Sequence, residues 1–102
     1  MSTETLPEVL PGTEHEREEE WGTSKTYLPL YKVIMWDDNI TTMEFVIRML
    51  TNLFRKDYET AEKLMYEIHL KGAAHVETLP LEQAEFKTEQ VHSAAALEQF
   101  PF

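Results

Sequence analysis

The stretch Trp36-Asp37-Asp38-Asn39-Ile40-Thr41-Thr42-Met43-Glu44-Phe45-Val46 decides the fold, because an apolar run ends there in three acceptor-rich residues and an amphipathic segment begins directly after them. Thr41 and Glu44 stand three apart, the spacing of a capping box, in which the threonine oxygen accepts from an early helix N–H and the glutamate reaches back to the cap. Asp37, Asp38 and Asn39 are therefore expected in a turn between a strand and a helix. Two carboxylates and an amide gathered in a turn offer several acceptors and negative charge, which suits a cation with several N–H donors, such as a primary ammonium.

Upstream of that turn, Leu28 to Trp36 is mostly apolar, aromatic or β-branched, which predicts a strand with Tyr31, Val33 and Met35 on one face and Lys32, Ile34 and Trp36 on the other. Downstream, Met43, Val46, Ile47, Leu50, Leu53 and Phe54 form an apolar stripe of helical period, with Arg48, Thr51 and Asn52 on the wet side. Asp57 suits the N-cap of a second helix whose stripe is Ala61, Leu64, Met65 and Ile68 and which closes at His69. Gly72 falls where a left-handed C-terminal cap is expected. Residues 73–79 alternate and end at Pro80, as a short strand does, and Leu81, Ala84, Thr88, Val91 and Ala95 then recur at helical spacing. Phe100-Pro101-Phe102 is a candidate start for one more strand. The order is β-α-α-β-α with that optional terminal strand, an α+β fold in which three helices cover one face of a small antiparallel sheet of about three strands.

Before this domain, residues 1–26 contain Pro7, Pro11 and Gly12 and an acidic run from Glu14 to Glu20 broken only by His15 and Arg17, the composition of a disordered acidic extension. Residues 27–102 are left as one folded domain, consistent with the length of 102 residues. Nine lysines and arginines against 19 acidic residues give a formal charge of −10, which argues against a nucleic-acid partner. Without cysteine there is no disulfide framework or thiolate chemistry. No basic leader and no apolar run near the roughly 20 residues of a membrane span is present, so a cytoplasmic location without membrane contact is expected.

Asp37, Asp38 and His69 are residue types that also serve as metal ligands or as acid–base pairs. A metal site needs three or four converging ligands, and His15, His75 and His92 show no paired spacing with them. No glycine-rich phosphate loop occurs either. On spacing alone His69 reads as an ordinary helix C-terminal residue favoured by the helix dipole rather than as a ligand-binding one, and Met43 and Met65 read as core residues, although methionine also lines adaptable pockets.

Several of these segments together resemble a known family. Tyr31-Lys32-Val33-Ile34, Thr41-Thr42-Met43-Glu44-Phe45-Val46, Leu64-Met65 followed by Ile68-His69, Lys71-Gly72, and Ala84-Glu85 with Lys87 are similar to the bacterial ClpS adaptors over about residues 27 to 102. The resemblance implies a non-enzymatic adaptor, without cofactor, that binds proteins beginning with a bulky hydrophobic residue and delivers these N-degrons to an AAA+ unfoldase. It implies that Asp37, Asp38 and His69 hold the substrate α-amine and that Asn39, Thr41, Met43, Val46, Met65 and Ile68 line the side-chain pocket. It further implies docking of a monomer, through Glu82 and Lys87, on the N-terminal domain of a ClpA- or ClpC-type unfoldase. The chain departs from the family where Asp37-Asp38-Asn39 stands for the usual Asn-Asp-Asp, Ile40 for a tyrosine-like residue and Thr42 for a proline, and the family's final strand, with a further apolar pocket residue, lies beyond Phe102. The alternative on the same scaffold is a regulatory domain that docks on the unfoldase without selecting N-degrons.

Overall fold

The computed structural model describes residues 3–7 and 28–102. Its elements are β1 (Thr3–Pro7), β2 (Leu30–Trp36), α1 (Met43–Asn52), α2 (Tyr58–Lys71), β3 (Ala73–Pro80) and α3 (Leu81–Leu97). The strands form one antiparallel sheet in the order β1-β2-β3, so the central strand is the one that leads into the turn at Asp37. The α+β class and the β-α-α-β-α order expected from residue 28 onwards both hold.

Strand β1 differs from the expectation of a disordered N-terminal extension. Thr3, Thr5 and Leu6 are tolerated or favoured in strands, and the open edge of β2 supplies the partner: Thr3 lies opposite Met35, Thr5 opposite Val33 and Pro7 opposite Tyr31. Pro7 is tolerated because β1 lies at the edge of the sheet. The rest of the acidic stretch, including the run from Glu14 to Glu20, lies outside the described residues.

The C-terminus differs as well, since Phe100-Pro101-Phe102 forms no strand. Gln99 adopts a left-handed φ of 61°, and the Phe100 N–H returns to the Ala95 carbonyl at 2.9 Å, a C-cap that reverses the chain. Phe100 and Phe102 then meet the Phe45 ring edge-on, with centroids 5.2 and 6.0 Å away. Such contacts add about 0.5–1.5 kcal/mol each to the burial of the rings.

Phe45 also corrects the face assigned to α1. The buried positions are Phe45, Val46, Met49 and Leu50, whereas Met43 is 42% exposed. The expected stripe held Val46, Leu50 and Phe54 correctly but missed Phe45 and Met49, because a short helix packed against a second helix and two phenylalanines buries a face wider than one i, i+3, i+4 row. The core continues through Val33 and Met35 of β2, Ala61, Met65 and Ile68 of α2, Ala74 and Val76 of β3, and Ala84, Val91 and Ala95 of α3. The pairing of β2 with β3 slips by one residue between Val33 and Ile34, which leaves Val76 between the partners Glu77 and His75.

The ends of α2 are as expected. Asp57 accepts from the Thr60 N–H at 2.7 Å, and Gly72 caps the helix at φ 92°, a left-handed conformation in which any side chain would be strained. Gly72 then leads directly into β3, so the last turn of α2 lies against the end of β2. That junction carries the candidate site.

Candidate functional site

The turn after β2 is built around one carboxylate. Asp38 Oδ1 accepts from the Ile40 N–H at 2.8 Å and the Thr41 N–H at 2.7 Å, and Oδ2 accepts from the Thr41 hydroxyl at 2.7 Å. An aspartate bonded to backbone two and three residues on is a local device that bends the chain without a glycine. It also moves the helix cap. Thr41 donates to Asp38 and does not cap α1; Thr42 does, accepting from the Phe45 N–H at 3.2 Å. The expected pairing of Thr41 with Glu44 gave way because Asp38 already held the Thr41 hydroxyl and amide.

On the other side of the turn, the Asp37 N–H donates to the Gly72 carbonyl at 2.9 Å, which ties the end of β2 to the end of α2. This sets Asp37 Oδ1 3.9 Å from His69 Nδ1, with both side chains partly exposed. His69 is in the last turn of α2, and Met65 and Ile68 precede it by four and one residues on the face turned to α1. Met43 and Val46 come from the first turn of α1.

Together these elements enclose a cavity of about 200 Å³ lined by Asp37, Asp38, Asn39, Thr41, Met43, Val46, Met65, Ile68 and His69. All nine residues that the family resemblance assigned to an amine site and an apolar pocket are thus brought to one cavity. Its polar residues come from the turn and the end of α2, and its apolar residues from the facing sides of α1 and α2. The volume is below the roughly 300–1,000 Å³ usual for small-molecule sites and is on the scale of a single side chain. Among the described residues no group of three His, Asp or Glu side chains is arranged to hold a metal ion.

The two aspartates differ in what they can offer a ligand. A carboxylate has about four acceptor positions, and Asp38 uses three of them on its own turn. Asp37 accepts no hydrogen bond among the described residues and faces His69, so it holds the more open oxygens. The sequence places both residues in the turn but carries no sign that the central aspartate is largely occupied.

Glu82 and Lys87, expected on one docking surface, do not converge in the same way. Five residues along a helix rotate a side chain by about 140° relative to the first. Glu82 borders a groove formed with Leu28, Pro29, Tyr31, Pro80, Leu81 and Gln83. Lys87 Nζ instead donates to the Leu53 carbonyl at the end of α1 and lies over the Phe54 ring, 5.7 Å from its centroid. No helix among the described residues is long and apolar enough to cross a membrane.

Burial raises the Asp38 pKa, but the hydrogen bonds from the Thr41 amide, the Thr41 hydroxyl and the Ile40 amide outweigh it, so the carboxyl titrates below the ordinary 3.8. A group whose folded pKa is depressed stabilises the fold fully above its unfolded pKa and loses that contribution as pH falls through the folded value. The turn is therefore expected to persist on acidification until below pH 3.8. Following the Thr41 amide resonance in an acid titration checks this; a midpoint at or above 3.8 would show that the carboxylate does not hold the turn.

Residues 27–102 match the family described as ATP-dependent Clp protease adaptor protein ClpS. The ATP-dependent Clp protease adapter protein ClpS of Bdellovibrio bacteriovorus is 42% identical over 72 residues, 71% of this chain and 63% of that protein, so the chain spans less than two thirds of that relative's length. The protein of the same name from Desulfatibacillum aliphaticivorans is 39% identical over 80 residues, 78% of this chain and 77% of the relative. Among solved structures, Agrobacterium tumefaciens ClpS2 bound to L-phenylalaninamide superposes with a TM-score of 0.69 at 32% identity, covering 71% of this chain and 87% of that one. By name these relatives are adaptors, not enzymes. The chain belongs to the ClpS family of ATP-dependent Clp protease adaptor proteins.

Proposed function

We propose that this adaptor selects N-degrons, binding in its cavity a free α-amine together with a bulky hydrophobic first side chain, and delivers them to a Clp AAA+ unfoldase in the cytoplasm. The observation that carries the reading is the cavity itself, in which two carboxylates and an imidazole meet four apolar side chains in a volume fit for one residue. The ligand of the Agrobacterium relative, an amino-acid amide, has the same two features of a free amine and an aromatic side chain. In this chain the α-amine lies between Asp37 and the remaining acceptor of Asp38, with His69 beside it. Met43, Val46, Met65 and Ile68 cover the side chain.

The chemistry sets both selectivity and strength. A free α-amine has a pKa of about 7.7–8.0, so near neutral pH it is mostly a cation with three donors, and acetylation removes both properties. Burying a leucine or phenylalanine side chain contributes about 1.5–3 kcal/mol, and each hydrogen bond to a charged group about 1.5–3 kcal/mol before association costs. A net of about 7–9 kcal/mol corresponds to micromolar-range affinity, suited to a carrier that must release its cargo.

Peptides beginning with Leu, Phe, Trp or Tyr are expected to bind, and N-acetylation to abolish binding. Fluorescence anisotropy with matched peptides decides it, and equal affinity for the acetylated form would leave the regulatory reading, docking without selection, as the better one. Met43, half-exposed at the cavity and first in α1, is expected to exclude first residues branched at Cβ, because Ile and Val place two heavy atoms there beside the amine. Met43→Ala should then admit Ile- and Val-starting peptides while weakening Leu or Phe modestly. No gain for Ile in a variant that still binds Leu would make Met43 only a packing residue.

Delivery is assigned to docking on the N-terminal domain of a ClpA- or ClpC-type unfoldase through the surface bearing Glu82. Reversing the charge of Glu82 should weaken docking in a pull-down with that domain and spare peptide binding. The opposite pattern would place the docking surface elsewhere.

A further inference from the structure

Trp36 is the last residue of β2 and is bonded directly to Asp37. Its indole N–H donates to Glu4 Oε1 at 2.6 Å. The register explains the pair: Glu4 lies opposite Ile34, so its side chain shares a face with Ile34 and with Trp36 two residues further along, a diagonal cross-strand neighbour. Among the described residues the backbone pairing of β1 with β2 runs from Pro7 opposite Tyr31 to Thr3 opposite Met35. The Glu4 side chain extends the reach of β1 to Trp36, the residue preceding the site.

Strand β1 is itself anchored. Thr5 Oγ1 and Thr88 Oγ1 of α3 are 3.0 Å apart, His92 Nε2 of α3 is 2.7 Å from the Thr3 carbonyl and donates to it, and the Thr3 side chain is buried. β1 is thus held by the sheet on one side and by α3 on the other, which makes it a fixed support. A glutamate on an edge strand commonly serves only to discourage further strand pairing. Here the carboxylate is part-buried and turned onto an indole donor at the short distance of a charge-assisted bond.

We propose that Glu4 is a positioning residue for the candidate amine site, and that the N-terminal strand is a working part of the binding domain. The Glu4–Trp36 bond steadies the end of β2 from the β1 side while the Asp37–Gly72 bond steadies it from the α2 side. Between them they hold the Asp37 carboxylate at the distance seen from His69. Glu4 lines no part of the cavity, so its effect on a ligand is transmitted through Trp36. The ligand in this inference rests on the proposed function; the positioning of Asp37 does not.

The test uses the full chain with Glu4→Leu and Glu4→Gln. Hydrogen exchange at the Asp37 amide and the Trp36 indole resonance, identified with Trp21→Phe, report on the turn without any ligand. Affinity for a peptide with a free N-terminal Phe reports on the site. Glu4→Leu is expected to speed Asp37 exchange and weaken peptide binding by roughly three- to tenfold, the range for residues that act without touching the ligand. Amides of Met65 and Ile68 should exchange as in the parent, and Glu4→Gln, which keeps an acceptor for the indole, should restore most of both effects. Parental exchange at Asp37 in Glu4→Leu overturns the proposal, as does acceleration spread equally over α2 or a Glu4→Gln as impaired as Glu4→Leu. Should the parent chain not bind the free-amine peptide, the functional reading fails while the exchange data still decide the role of Glu4.

Discussion

The hydrogen bond from the Asp37 N–H to the Gly72 carbonyl is the constraint on which the site depends. It joins two places far apart in sequence, the end of the central strand and the C-cap of α2, and each carries half of the candidate chemistry. The bond requires Gly72 at its left-handed φ of 92°, because only a helix that stops abruptly there turns its next carbonyl to the strand. Asp38 then sets the direction in which the chain leaves the turn. By accepting two amides and a hydroxyl from the next three residues, it starts α1 at Met43 and lays the first turn of that helix against the last turns of α2. The cavity is the space left between the two helices at the point where the turn closes it.

This arrangement divides labour between the two aspartates. Asp38 carries the local structure and retains little acceptor capacity, whereas Asp37 contributes little to the turn through its side chain and retains most. In the resembled family pattern an asparagine stands at the first of these positions, so this chain has placed a formal charge on the residue whose oxygens are open. Electrostatic attraction for an ammonium is greater in consequence, and so is the cost of removing that carboxylate from water. His69 beside Asp37 offsets part of that cost when it is protonated or donating.

The core shows how the small domain supports such a site. Phe45 is fully buried next to the cavity-lining Val46, held edge-on by Phe100 and Phe102 from the chain's end, in one core cluster with Val33 and Met35 of the sheet. These residues lock α1 in rotation about its axis. With Phe45 and Met49 turned inward, Met43 and Val46 are left facing α2, and the pocket lining is a by-product of where the core pulls the helix.

Much of this was legible in the sequence, for physical reasons that act over a few residues. Periods of two and of 3.6 mark strand and helix, an aspartate at Asp57 and a glycine at Gly72 mark the two ends of α2, and adjacent acceptors at Asp37, Asp38 and Asn39 mark an acceptor-rich turn. Together with the resemblance to the ClpS family, that was enough to name all nine residues lining the cavity. What the sequence by itself determined was therefore the class of fold, the α2 caps and the acceptor-rich turn, with the inventory of the cavity coming from the family resemblance. The tertiary structure decided the rest. Whether Thr41 or Thr42 caps α1 was settled by competition for the Thr41 hydroxyl, which only the folded turn resolves. The pairing of Thr3–Pro7 with β2 and the packing of Phe100 and Phe102 on Phe45 join residues distant in the chain, and nothing local to a short stretch states which edge or ring it will meet. The bond from Trp36 to Glu4 is of the same kind, since a hydrogen-bond donor specifies what it needs but not where in the chain the acceptor will come from.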